Sequence, residues 1–237
     1  MAHKKDRGIK MSKKDNSTAH NSGQYDSLIC GTMPYYDNLH SEALNVIKAA
    51  GIEPAMWLDT GCGTGTFVKK AHEVYPGAFF ILADPSQEMM DQSKKKLDGI
   101  RGSFRFLPPV KTQELRINDK CEVITAIQSH HYGDPAERVM AVKVAFNMLQ
   151  KNGIFVTTEN ISPFSFEGIA IGKKNWAAFQ EKMGRTAKDA EKHIERFGKE
   201  YFPINIEEHL KLYRETGFKA VEMFWYSYMQ AGFYCIK

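Results

Sequence analysis

The sequence has little cysteine and lacks a long apolar run. Its four cysteines form no C-x-x-C pair, which argues against a zinc knuckle or a disulfide framework. No apolar stretch approaches the roughly 20 residues that span a bilayer, and no signal-peptide apolar segment follows the basic N-terminus. We therefore expect a cytoplasmic protein without a metal site or a membrane partner. The cysteines are Cys30, Cys62, Cys121 and Cys235.

Net charge is also absent from most of the chain. Residues 1–20 hold six basic and two acidic side chains, and their net +4 equals that of all 237 residues. A short basic arm can touch RNA phosphates or anionic lipid, but without interleaved aromatics it is typical of a disordered tail. We predict a disordered tail over residues 1–22 and one domain over 23–237, with nucleic-acid binding left open but not indicated.

The most informative stretch is an apolar run that ends in an acid and three alternating glycines. Residues 56–65 read MWLDTGCGTG, which predicts a strand feeding a turn built on Gly61, Gly63 and Gly65. Glycine adopts positive φ and lets a ligand approach the backbone. The next helix, from about Thr66, offers free N–H groups to an anion. The spacing differs from the G-x-G-x-x-G of NAD-binding turns, and a purely structural turn is the alternative.

A second apolar run, over residues 78–83, ends in Asp84 nineteen residues after Gly65. A carboxylate at the carboxyl end of a strand can accept hydrogen bonds from both hydroxyls of a ribose. The alternative is that Asp84 only caps the next helix, a role that Ser86 can share.

Together these two motifs resemble those of the class I S-adenosylmethionine (SAM)-dependent methyltransferases. The resemblance implies SAM as cofactor and S-adenosylhomocysteine as product. In that family the glycine turn contacts the methionine part, an acid matching Asp59 orders the turn, and an acid matching Asp84 binds the ribose. The predicted cofactor-binding residues are Asp59, Gly61, Cys62, Gly63, Gly65, Asp84, Pro85, Met89, Thr112, Gln113, Ile127, Gln128, Tyr25 and Tyr36.

Helical and strand patterns alternate along the chain, which predicts an α/β sheet with helices on both faces. The resemblance implies a Rossmann-like sheet of seven strands whose last pair is an antiparallel hairpin. A long aromatic segment over about 162–204 predicts a helical lid, although the same residues could be core. We expect strands at 55–59, 78–83, 103–107, 121–127, 153–158, 218–226 and 230–236, and helices at 39–50, 65–75, 86–98 and 135–150.

Two polar side chains that follow predicted strands are candidate catalytic residues. His131 could touch substrate, but the adjacent His130 points elsewhere, so the pair does not suggest a metal site. Glu159 could orient an amine or take a proton, or it could cap the following loop. Lys111 stands where many family members have an acid near the adenine, so Thr112 or Gln113 becomes the predicted neighbour of the base.

The flanking segments resemble the bacterial carboxy-SAM synthases of tRNA wobble-uridine modification. The resemblance lies in residues 25–38, 206–218 and 225–237. A carboxylated SAM needs a cation, usually an arginine. An ungapped alignment places Ile194 where the synthases have that arginine, with Arg196 two residues away.

The favoured hypothesis is methyl transfer from SAM to a small molecule, with a SAM-converting enzyme such as a carboxy-SAM synthase as the alternative. A noncatalytic SAM-binding module is a third hypothesis. The sequence leaves the oligomeric state open, a homodimer included.

Overall fold

Seven strands form one sheet in the computed structural model, which describes residues 15–237. The strands are β1 (Met56–Thr60), β2 (Phe79–Ala83), β3 (Ser103–Phe106), β4 (Cys121–Ile127), β5 (Leu149–Asn160), β6 (Ala220–Ser227) and β7 (Gln230–Ile236). Their order is β3-β2-β1-β4-β5-β7-β6, and β7 runs antiparallel to both of its neighbours. The predicted fold class, with its closing antiparallel hairpin, is confirmed.

Eight α-helices accompany the strands within the described residues. They are α1 (Tyr25–Thr32), α2 (Tyr36–Ala49), α3 (Thr66–Val74), α4 (Gln87–Leu97), α5 (Pro135–Met148), α6 (Phe166–Lys182), α7 (Ala187–Ile194) and α8 (Ile206–Thr216). Helices α2, α3 and α4 pack on one face of the sheet, whereas α5 and α8 pack on the other.

Alternation along the strands supplies both cores. In β1, Trp57 packs with the α2–α4 side, whereas the next residue, Leu58, packs with the α5 and α8 side. Both side chains are fully buried, because successive residues of a strand point to opposite faces. Apolar runs such as Phe79–Ala83 are therefore typical of a parallel strand covered on both faces.

The structure differs from the predicted elements at several places. Strand β5 begins at Leu149, where a helix had been predicted to continue, because Leu149 pairs with Cys121 before a bulge. Asn152 has a positive φ of 65° in this irregular stretch. Helix α1 was not predicted, and the aromatic segment divides into α6 and α7.

The folded domain also begins earlier than the predicted boundary at residue 23. Ser22 starts a short 3-10 helix and donates a hydrogen bond to the carboxylate of Glu88 in α4. Residues 15–20 contact the domain as well, as described below. The rest of the predicted basic tail, residues 1–14, lies outside the described residues.

The strand order reverses between the parallel neighbours β1 and β4, because the chain continues from β1 to β2 on one side and from β4 to β5 on the other; this opens a crevice at their carboxyl ends. Ligands of open α/β sheets bind at such switch points.

Within residues 15–237, no helix combines the length and apolarity needed to cross a membrane.

Candidate functional site

The turn after β1 places backbone N–H groups at the switch point. Gly61, Gly63 and Gly65 all have positive φ, between 52° and 75°. A Cβ on Gly61 would lie 2.0 Å from Oγ of Ser129, so only glycine fits there. A Cβ on Gly63 would meet nothing within 4 Å, which leaves open space above the turn. Gly65 instead packs against Ser93 of α4, so its role is to seat α3 rather than to line the cleft.

Asp84, at the end of β2, ties this turn to α4. One carboxylate oxygen accepts a hydrogen bond from the N–H of Gly63 and the other from the N–H of Ser86, both at 2.9 Å. Ser86 caps α4 with its own side chain, as predicted, by accepting from the N–H of Met89. Burial raises the pKa of Asp84 to about 6, because it opposes ionisation more strongly than the two backbone donors favour it.

Asp59 lies below the turn. Its Oδ1 accepts a hydrogen bond of 2.5 Å from Oγ1 of Thr125 in β4, which itself accepts from the indole N–H of Trp57. Burial raises the pKa of Asp59 to about 7. Asp59 also lines the cavity above the turn, so both predicted acids lie at the same edge of the sheet.

Three cavities join into one curved cleft across the strand ends. The glycine-turn cavity is bounded by Tyr25, Tyr36, Asp59, Gly63 and Gln128, among others. The outer cavity is bounded by Pro85, Thr112, Gln113, His130 and Arg138, among others. The lid cavity is bounded by His20, Asn160, Trp176, Arg196 and Tyr201, among others. Gly61 is shared by the first two cavities, Tyr132 by the outer and lid cavities, and Tyr25 and Gln128 by the glycine-turn and lid cavities.

Helix α1 brings Tyr25 over the cleft. Asp26, the next residue, accepts hydrogen bonds from the hydroxyls of Thr64 and Thr66 beside the glycine turn and from Lys96 in α4. Tyr36 in α2 packs against His40, with the ring centroids 4.2 Å apart and the planes tilted by 56°, and both residues line the glycine-turn cavity. The sequence could not have located Asp26, because it carries no motif of its own.

Helices α6 and α7 cover the strand ends, as the predicted lid would. Trp176 is buried, and its indole N–H donates to the carbonyl oxygen of Thr32 in α1 at 2.7 Å. Gln180 of α6 pairs with His193 of α7 at 3.0 Å, which holds the two lid helices together. Tyr228, between β6 and β7, packs on Phe179 of this lid. Trp225 packs instead with residues of α2.

A segment that we call the strap, residues 15–20, crosses the cleft. Asp15 accepts hydrogen bonds from the hydroxyl of Ser86 and the N–H of Glu88, at the N-terminus of α4. The carbonyl oxygen of Ser17 accepts from the guanidinium of Arg196. Strap residues therefore line both the outer cavity and the lid cavity.

Glu159 and His131 form a buried pair beneath the cleft. Glu159 Oε2 accepts from the backbone N–H of His131 at 2.8 Å and lies 2.9 Å from its Nδ1, while Oε1 accepts from Thr157 at 2.7 Å. Burial favours the neutral acid, but the hydrogen bond and charge of His131 outweigh it and lower the pKa of Glu159 to about 2. Asn160 Nδ2 lies 3.1 Å from His131 Nε2 and belongs to the lid cavity.

The structure separates the predicted residues into those that line the cleft and those that support it. Asp84, Met89, Gly65, His131 and Glu159 line none of the three cavities; Met89 and Glu159 are at most 1% exposed. The predicted catalytic role of His131 and Glu159 stays a prediction, and their contacts favour a positioning role. The predicted residues that line the cleft are Tyr25, Tyr36, Asp59, Gly61, Cys62, Gly63, Pro85, Thr112, Gln113, Ile127 and Gln128.

Residues 58–155 match a family described as "Methyltransferase domain". The carboxy-S-adenosyl-L-methionine synthase of Trichodesmium erythraeum is 21% identical over 199 residues, covering 84% of this chain and 79% of that protein. The synthase of Campylobacter concisus is 26% identical and covers 84% of each chain.

Solved structures give the same fold. A SAM-dependent methyltransferase from Clostridium acetobutylicum superposes with a TM-score of 0.63 at 15% identity, over 91% of this chain and 96% of that one. Human N-acetylserotonin methyltransferase in complex with SAM gives 0.62 at 10% identity, over 92% and 56%. The chain has the class I SAM-dependent methyltransferase fold. The resemblance inferred from the sequence motifs is thereby confirmed.

The cleft of this methyltransferase fold suits SAM. Gly63 leaves open space where the methionine part would approach the backbone, and Asp84 fixes the N–H of Gly63 from below without lining a cavity itself. The outer cavity holds buried polar atoms without protein partners among the described residues, namely both ring nitrogens of His130 and Nε of Arg138. Such atoms fit a flat ligand that carries both donors and acceptors, as adenine does. SAM would supply an electrophilic methyl group.

We expect Asp84→Ala to weaken SAM binding at least tenfold, on the order of 1.4 kcal/mol or more. The carboxylate orders Gly63, and it is predicted to accept from the ribose hydroxyls. Titration calorimetry measures the change, with Asp91→Ala, an exposed acid of α4, as control. Unchanged affinity in the Asp84 variant would rule out the ribose contact.

The affinity for SAM should also fall as the pH is lowered through about 6, where Asp84 takes up a proton. At pH 5 about one site in ten would keep the carboxylate, so the affinity drops about tenfold relative to pH 7. Asp84→Asn has no carboxylate to titrate at this position. The wild type should therefore bind SAM more tightly than the variant at pH 7, and this advantage should disappear at pH 5. An advantage that stays constant between pH 7 and pH 5 contradicts the assignment.

Glu159→Gln should destabilise the domain by about 2–3 kcal/mol at pH 7, because an amide cannot accept all three of the donated hydrogen bonds. The stability advantage of the wild type is complete above the unfolded pKa of about 4.3 and is lost as the pH falls towards 2. SAM affinity should change little, whereas turnover slows. Urea unfolding at several pH values, with exposed Glu215→Gln as control, measures this; equal stability of variant and wild type would contradict the role.

Proposed function

We propose that this protein is a SAM-dependent methyltransferase that acts on a small molecule. The observation that carries the proposal is the junction of the two inner cavities. The glycine-turn cavity, suited to the methionine part of SAM, opens into the lid cavity at Tyr25 and Gln128. A methyl group on a sulfonium held at that junction would face an acceptor held in the lid cavity.

The residues at the junction would position SAM rather than act as strong acids or bases. Gln128 has a positive φ of 54°, and its N–H is fixed by the carbonyl oxygen and hydroxyl of Thr158 in β5. Burial raises the pKa of Tyr25 far above its usual range, so the ring stays neutral beside a cation. A neutral aromatic face attracts a sulfonium by cation–π interaction. Alignment of the nucleophile with the S–CH3 bond and exclusion of water would then account for most of the rate.

The closed lid favours a small-molecule acceptor over a polymer. Trp176, Tyr201 and Arg196 are all at most 8% exposed, and the strap crosses the same opening. A polymer such as RNA would need a wider entrance than the contacts of α6, α7 and the strap leave. The cytoplasmic location stays a prediction of the sequence.

A specific observation favours a second candidate, a carboxy-SAM synthase. The curated relatives carry that name, and the activity needs a cation beside the sulfonium. Ile194, which the ungapped alignment put at the position of the arginine, packs in the lid core with Trp176 and Met229. Arg196 instead lines the lid cavity, where its guanidinium pairs with the carboxylate of Glu200 at 2.7 Å. In this second candidate, Arg196 would supply the cation from two residues along the chain.

Mass spectrometry separates the two candidates. The protein is incubated with SAM alone, with SAM plus a metabolite mixture, and with SAM plus prephenate. Methyl transfer predicts SAM unchanged in mass when alone and S-adenosylhomocysteine with a methylated acceptor in the mixture. A product heavier than SAM by one carboxylate would overturn methyl transfer in favour of the second candidate.

Arg196→Leu should leave the affinity for SAM within about threefold of the wild type. The binding of the acceptor, or of a carboxylated SAM, should weaken by about tenfold or more, because a charge-assisted hydrogen bond is lost. Arg214→Leu, an exposed arginine of α8, is the matched control. Equal turnover and KM in the two variants would show that Arg196 only tethers the strap.

A further inference from the structure

Helix α1 lies over the cleft with little apolar packing to hold it there. Only Thr32 among its eight residues is fully buried. Apart from Tyr25 in the cleft, its apolar packing is limited to Ile29, which contacts the small cluster around Met33 and Tyr36. A helix of this length is not stable by itself in water. The position of α1 therefore depends on its contacts with other elements, and the polar ones lie at its two ends.

At the first end, one carboxylate ties α1 to the glycine turn. Oδ1 of Asp26 accepts from the hydroxyl of Thr64 at 2.7 Å and from that of Thr66 at 2.9 Å, and Oδ2 accepts from Nζ of Lys96 at 2.6 Å. Burial opposes the negative charge, but the hydrogen bonds from Lys96 and the two threonines outweigh it and lower the pKa of Asp26. Asp26 is thus a carboxylate at neutral pH, and it holds α1 on the turn and on α4.

At the other end, Thr32 ties α1 to the lid and the strap. Its carbonyl oxygen accepts from the indole N–H of Trp176 in α6 at 2.7 Å, and its hydroxyl lies 3.0 Å from Nε2 of His20. Thr32 follows Asp26 by six residues, which is about 9 Å along a helix. One short helix thereby joins the glycine turn to the lid.

The two cavities that α1 joins share Tyr25, the neighbour of Asp26. Tyr25 lines both the glycine-turn cavity and the lid cavity, whereas Trp176 lines only the lid cavity. A movement of α1 away from the turn would take Tyr25 out of the junction and break the contact between Thr32 and Trp176. The site for the cofactor and the wall of the lid cavity therefore have one support in common.

We propose that α1 couples the two cavities, so that SAM at the glycine turn and the closed lid over the acceptor stabilise each other. The inference rests on the proposed function. SAM contacts Tyr25 only when α1 is held on the turn, and it therefore favours that state. By linkage, the same free energy favours the closed lid. Asp26 is a positioning residue for methyl transfer, and the acceptor cavity is complete only when SAM is in place.

Hydrogen–deuterium exchange followed by mass spectrometry tests the coupling without an acceptor. SAM should slow the exchange of the backbone amides of α6 and α7 at least about fivefold in the wild type, although neither helix lines the glycine-turn cavity. Slower exchange in the turn alone would overturn the proposal. Failure of SAM to bind in titration calorimetry would instead contradict the proposed function itself.

Asp26→Asn should uncouple the lid from the cofactor. The amide places an NH2 group opposite either Lys96 or the two threonines, so one set of contacts is lost. SAM should still slow exchange in the glycine turn, whereas its effect on α6 and α7 should fall to within about twofold. Asp26→Ala, which removes every acceptor, should act in the same way. An undiminished effect on the lid in both variants would overturn the role of Asp26.

Asp37→Asn is the matched control. Asp37 also lies in the first turn of a helix, α2, and pairs with a lysine of α3, Lys70, at 2.7 Å. It has no contact with the glycine turn among the hydrogen bonds of residues 15–237. This variant should keep the wild-type response of α6 and α7, and loss of that response would show that any missing surface charge has the same effect.

Trp176→Phe breaks the connection at its other end, because phenylalanine keeps an aromatic ring without the indole N–H. SAM should then slow exchange in α1 and the turn but not in α6 and α7. Each single variant, Asp26→Asn and Trp176→Phe, should weaken SAM about fivefold in titration calorimetry, and the double variant should weaken it no further, since both changes break one link. Two independent losses that multiply in the double variant would overturn coupling through α1.

Discussion

The carboxylate of Asp84 joins the three parts on which the cleft depends. It accepts the N–H of Gly63 in the turn after β1 and the N–H of Ser86 before α4, while its own backbone ends β2. The N–H groups of Gly61 and Cys62 also bind β2, through the carbonyl oxygen of Ala83, so the turn is fixed against this strand at two successive residues, 83 and 84. Without the carboxylate the N–H of Gly63 would lose its partner and the turn its link to α4.

Much of the fold followed from local rules. The apolar runs after residues 55 and 78 become buried parallel strands, and Gly61, which follows the first, lines the cleft. Such positions can be predicted because strand ends in an α/β sheet converge at one edge. Three predicted cofactor residues line no cavity: Asp84 bonds the N–H groups of Gly63 and Ser86, Gly65 packs against Ser93, and Met89 is buried in α4.

The parts that sequence reasoning missed depend on contacts between distant segments. Glu137 carries a clear local signal, the capping box Asp134–Glu137, but that signal indicates a helix start and not a partner for Gln113. Arg196 lies two residues beyond Ile194, the position that the ungapped alignment gave for the arginine. Such an alignment takes no account of the end of α7, which falls at Ile194. His131 and Glu159 follow strands as functional residues do, yet they pair with each other below the surface.

The strap gives the first described residues a part in shaping the cleft. It is held through polar contacts at Asp15, Ser17 and His20, and each such hydrogen bond contributes about 1 kcal/mol. Releasing it costs far less than disturbing the sheet, so molecules can enter and leave by loosening these few residues while the core stays intact. A chain trimmed to residue 23 would keep every strand and helix of the domain and still lose one wall of its cleft.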